Sequence, residues 1–95
     1  MRPEYRIEFP REFADVEWEV EAKGFLPIKV HTPAAEYRVD VYDRTRLRQD
    51  LDLRLAGEPS VPFANLIVVE RVTRDHIESA VEHLADRDFI DLARG

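Results

Sequence analysis

The patterning of apolar and polar residues predicts an α+β fold. The expected form is a two-layer sandwich: a mixed sheet of about five strands with two helices on one face, in the order β-β-β-β-α-β-α. Three observations predict it. Apolar and polar residues alternate at period two in several short stretches of the first half. Two later stretches, behind Asp43 and Thr73, repeat apolar residues every three or four positions. The first of these lies between two strand patterns at a separation that suits a right-handed crossover, so the strands at 36–42 and 65–70 should run parallel. Each helix must bury an apolar stripe, and placing both on one sheet face is the simplest way to do so.

Taken in order, Tyr5, Ile7 and Phe9 alternate with Arg6 and Glu8 until Pro10, a short half-buried strand. Val16, Trp18, Val20 and Ala22 alternate with Asp15, Glu17, Glu19 and Glu21, which predicts a second strand with one apolar and one acidic face. Lys23-Gly24 offers a turn. Leu26 to Val30 would return antiparallel, and Pro27, which lacks an N–H, assigns that strand to an edge. Tyr37, Val39 and Val41 mark a fourth strand.

Asp43 is placed to cap a helix whose Leu47, Leu51 and Leu55 recur every four residues. The segment 50–55 also alternates and could be read as a strand. Helix is preferred because Asp is poor in strands, and this puts Leu53 on the far side from the other leucines. Gly57 and Pro59 end the element. Leu66-Ile67-Val68-Val69 is the longest apolar run, which predicts a central strand covered on both faces. Thr73 caps a second helix with Ile77, Ala80, Val81 and Leu84 on its apolar side. Phe89, Ile90 and Leu92 extend that helix, form a last strand or pack as a tail.

The 95 residues suit a single domain spanning 1–95. There is no Cys, which excludes a disulfide framework, thiolate metal sites and cysteine catalysis. Three glycines, at 24, 57 and 95, cannot build a phosphate-cradling loop, and neither Ser60 nor Ser79 sits in a nucleophile elbow. No segment reads as a secretory signal or a membrane span, so a cytoplasmic protein without membrane partners is expected. Net charge is −6. It is uneven: residues 1–24 carry four basic against seven acidic groups, 25–69 six against six, and 70–95 four against seven. The acidic balance and the narrow basic patch Arg44, Arg46, Arg48 argue against nucleic acid.

The acidic row Asp15, Glu17, Glu19, Glu21 would share one strand face at a spacing of about 6.5–7 Å. Pairing by Arg6 and Arg38 from neighbouring strands is the simplest fate for such a row. Left open, it would be a docking face for a basic protein partner. Together with Leu53, these four are the candidate protein-binding residues, with self-association as the other expected use of the surface. A rival expectation is a small enzyme or ligand-binding domain with a pocket near Trp18, His31, Tyr37 and Tyr42. No catalytic group, metal site or cofactor is expected: the carboxylates lack a calcium loop, and His76 and His83 are seven apart, too far for a helical zinc pair. The sequence thus points to a small acidic interaction or regulatory module without catalysis.

Overall fold

The strand pair that organises the protein is the antiparallel hairpin of β2 (Phe25–His31) and β3 (Glu36–Tyr42), in register from Phe25 opposite Tyr42 to His31 opposite Glu36. The computed structural model describes residues 3–93; Met1 and Arg2 of the N-terminal segment, and Arg94 and Gly95, lie outside the described residues. Around the hairpin stand β1 (Arg6–Glu8), α1 (Phe13–Lys23), α2 (Arg44–Leu55), β4 (Leu66–Val68) and α3 (Arg74–Asp86). The fold is α+β. The sheet order is β1-β2-β3-β4, with β1 antiparallel to β2 and β4 parallel to β3, as the crossover length predicted.

Alternation along the hairpin sends Leu26, Ile28 and Val30, with Tyr37, Val39 and Val41, to one face, where all six are buried. Phe13 and Val20 of α1 and Ile77, Val81, Leu84 and Ala85 of α3 complete the core with Val69, Val72 and Phe89. Each large apolar side chain sealed there contributes about 1.5–3 kcal/mol. Residues 87–91 form a tail of turns. Phe89 packs edge-on to Tyr5 and stacks on Tyr37, with centroids 5.9 and 5.7 Å apart.

Among the described residues four strands and three helices stand where about five strands and two helices were expected. The acidic segment 15–21 belongs to helix α1, not to a strand. Its buried residues, Phe13 and Val20, with half-buried Val16 between them, follow i, i+3, i+7 spacing, one side of a helix. Trp18 and Ala22, which completed the apparent alternation, are exposed. Four acidic residues favour helix over strand, and Gly24, with φ 72°, closes the helix as its N–H reaches Val20 O at 2.9 Å.

The two predicted helices do not share a face. α1 and α3 cover the core face. Phe25 and Tyr42 have the opposite parity along their strands, and α2 meets them: the Arg46 guanidinium lies 5.6 Å from the Phe25 ring, and Tyr42 is buried outside the core cluster. α2 is a helix through 50–55, capped by Asp43, whose side chain accepts from Arg46 N–H at 2.8 Å. It has no fully buried residue.

Two strand assignments also change. β4 is an edge strand, half-exposed rather than covered on both faces. β2 is internal despite Pro27. The N–H of Asp40 donates to Asn65 O in the β4 direction, so Asp40 and its partner Pro27 form a non-hydrogen-bonded pair. The missing N–H of Pro27 therefore points toward β1, which pairs only as far as Lys29. Proline is tolerated because β1 stops before it.

Gly24 links these elements. Its carbonyl accepts the Asp43 N–H at 2.9 Å, and a Cβ on it would stand 2.5–2.6 Å from the Asp43 carboxylate. Gly24→Ala is expected to destabilise the fold by about 1–3 kcal/mol, combining left-handed strain with displacement of the α2 cap. Urea unfolding followed by circular dichroism checks this; an unchanged midpoint would contradict the role given to the junction.

Candidate interaction surface

Being helical, the acidic row is not a row. α1 kinks at Val16, which sets Asp15 apart, and beyond the kink, at about 100° per residue, Glu17 and Glu21 share a side that Glu19 does not. Glu17 is turned inward, where its Oε2 accepts the N–H of Arg74 at 3.0 Å and caps the start of α3. Asp15 and Glu21 are exposed and Glu19 is half-buried. The expected pairing with Arg6 and Arg38 across a sheet has no sheet to occur on.

The other predicted quartet is not brought together. Trp18 is 70% exposed on α1, Tyr37 is buried in the core beside Phe89, and Tyr42 is buried on the outer face under α2. His31 lies at the opposite end of β2 from Phe25. Its Nε2 is 2.8 Å from Glu8 Oε1, a diagonal contact between β1 and β2. That hydrogen bond is the main reason the Glu8 carboxyl titrates below its ordinary value.

The outer sheet face beyond α2 is a shallow groove of about 470 Å³, lined in part by Glu8, Pro27, Lys29, Arg38 and Asp40. Asp40 is half-buried there, and desolvation pushes its carboxyl up. Among the described residues no group of three or more His, Asp or Glu is arranged to hold a metal ion, and no helix is long and apolar enough to cross a membrane.

The two sheet edges differ in chemistry. β1 reads Arg6-Ile7-Glu8 and lies between Pro3 and Pro10, and Glu78 and Glu82 of α3 border the hollow beside it. Charge, proline and short length are the usual means of blunting an edge. β4 has only the third: it reads Leu66-Ile67-Val68, without charge or proline. The N–H of Asp40 donates to Asn65 O and that of Val69 to Tyr42 O, so residues 65, 67 and 69 face β3. The N–H and C=O groups of Leu66 and Val68 therefore point away from the sheet. Val68 is 45% exposed, and Phe63, stacked edge-on to Tyr42 at 6.2 Å, is also partly exposed.

Beyond the strand, Arg44 holds Glu70 through two bonds of 2.9 and 2.8 Å, which lower the Glu70 carboxyl. Leu51 and Leu55 share that side of α2 with Arg44. Leu53 is 77% exposed on another side, as its spacing predicted, and is not part of this edge. The apolar run 66–69 was visible in the sequence, but its edge position was not. Phe63 had no signal, lying in a proline-punctuated loop.

Comparison with protein-family models, with curated proteins and with solved structures returns no match, so the chain's own geometry carries the functional argument.

Two titrations test this surface. A carboxyl with depressed pKa contributes stability above its unfolded value and loses it as pH falls through the depressed one. His31→Ala should therefore move the Glu8 carboxyl titration, read by carbon-13 NMR, up toward the ordinary value; no movement would break the assigned link. Asp40 has the opposite sign. Its stability contribution belongs to the protonated form and is lost as pH rises through its raised pKa. Asp40→Asn should raise Tm at neutral pH by a few degrees and lose that advantage in acid, as thermal melts across pH will show.

Proposed function

We propose that this protein is a small, acidic, non-catalytic interaction module that engages another polypeptide along the free edge of β4. The observation that carries this reading is the contrast between the two edges: β1 bears charges and flanking prolines, whereas β4 turns the backbone groups of Leu66 and Val68 away from the sheet with no pairing strand among the described residues. Strand addition at such an edge draws affinity from main-chain hydrogen bonds and selectivity from the alternating side chains. The adjoining Phe63, packed on Tyr42, extends the apolar area beyond three residues of strand. A regulatory role fits a domain that offers one edge and leaves its core intact on binding.

A ligand-binding domain or small enzyme is the second reading. Its support is the outer-face groove, where a desolvated carboxylate, Asp40, lines the same hollow as Lys29 and Arg38. The predicted quartet lends it no support, because its members lie on different faces.

The interaction reading is tested by placing photo-reactive benzoylphenylalanine at position 68 in cells making the protein, with position 18 on α1 as control. Covalent adducts to a polypeptide at 68, and not at 18, are expected. Equal adducts at both positions, or none at 68, would contradict it.

A further inference from the structure

We infer that the partner at the β4 edge is β4 of a second copy of this chain, paired antiparallel about a two-fold axis at Ile67 to give one continuous eight-stranded sheet. The inference rests on the interaction reading above and names the partner for the same surface.

Residue chemistry along the edge favours this occupant. In two-fold pairing Ile67 meets its own counterpart, Leu66 meets Val68, and Asn65 meets Val69. Glu70 then lies opposite Ala64, and Arg71 opposite Phe63. No like charges oppose each other. A parallel arrangement in the same register would set Glu70 beside Glu70 and Arg71 beside Arg71, which is unfavourable. The groups that must pair are also the ones available: Leu66 and Val68 exchange both backbone bonds, and Ile67 forms the central non-hydrogen-bonded pair.

Electrostatics select the same edge. A chain of net charge −6 repels its copies unless they meet where the charge is balanced. Residues 43–69, which run from the α2 cap through β4, hold four basic and four acidic groups. The excess acid lies on α1 and on α3, whose Glu78 and Glu82 border the hollow beside β1 together with Arg74. A neutral apolar edge has nothing to select a basic partner but is self-complementary under a two-fold axis. Among the described residues nothing closes it from within. The Asn65 side-chain amide ties Ala93 by two bonds of 2.6 Å at the start of β4, and among the described residues no strand pairs beyond Leu66–Val68.

Sedimentation velocity of the intact chain is expected to give about twice the 11.1 kDa monomer mass. Val68→Lys should shift the equilibrium toward monomer at least about tenfold while leaving the circular dichroism of the folded chain unchanged. The absence of cysteine allows a direct register test. Ile67→Cys places two thiols across a pair whose Cα atoms lie about 4.5 Å apart, within disulfide reach. Mild oxidation should yield a covalent dimer, while Trp18→Cys on α1 should not. A wild-type monomer at millimolar concentration overturns the inference, and so does a Val68→Lys dimer as tight as wild type. If the wild type is monomeric but position 68 photo-crosslinks to a different protein, the second copy is wrong and the interaction reading stands. If position 68 forms no adduct at all, both fail.

Discussion

The junction of Gly24 and Asp43 is the constraint on which the arrangement depends. Four elements meet there. The Gly24 N–H ends α1 on Val20, and the Gly24 carbonyl receives the Asp43 N–H as β3 leaves the sheet. The Asp43 side chain then starts α2 on the Arg46 N–H, and Arg46 reaches back to the Lys23 carbonyl at 3.2 Å. Only a residue without Cβ fits, because the backbone is left-handed at that point and the carboxylate fills the space a side chain would need. The hairpin register and the positions of α1 and α2 are therefore coupled through one residue.

The helices are held by different physics. α1 and α3 are sealed to the sheet by aliphatic and aromatic burial. α2 is attached by polar and cation–π contacts: Arg46 over Phe25, Arg54 over Phe63 at 5.8 Å, and the Arg44–Glu70 pair at 2.8 Å. Each such contact is worth about 0.5–1 kcal/mol at an exposed site, well below the burial of a core leucine. The outer layer is thus the weaker one, and half-buried Leu47 and Leu51 leave it incompletely closed. Its weakness and the bare edge of β4 lie on the same side of the molecule, the side where charge is balanced.

Legibility in the sequence followed the range of the interactions. The caps at Asp43 and Thr73, the apolar side of α3, the alternation of β3 and the parallel crossover to β4 could all be read, because each depends on neighbours within a turn or on a chain length. The segment 15–22 was misread because Val16, Trp18, Val20 and Ala22 happen to satisfy period two, while Phe13, Val16 and Val20 satisfy a helix. Both patterns are present, and burial chose the second: Val20 is sealed and Trp18 is not. Of the candidate site, Leu53 was correctly read as outward-facing. Glu17 belongs to the predicted acidic row, yet it caps α3, a contact 57 residues distant in the chain.

The −6 charge, the absence of cysteine and glycine-rich motifs, the helix caps and the α+β class were determined by the sequence alone, since composition and local periodicity suffice for them. Which strand lies at an edge, and on which face α2 packs, were decided only by the tertiary structure. An apolar run such as 66–69 has the same local appearance in a central strand and in an exposed one. Its surroundings depend on whether any other strand is left to pair with it. With 15–22 drawn into a helix, no strand among the described residues is left to pair with the aliphatic edge of β4.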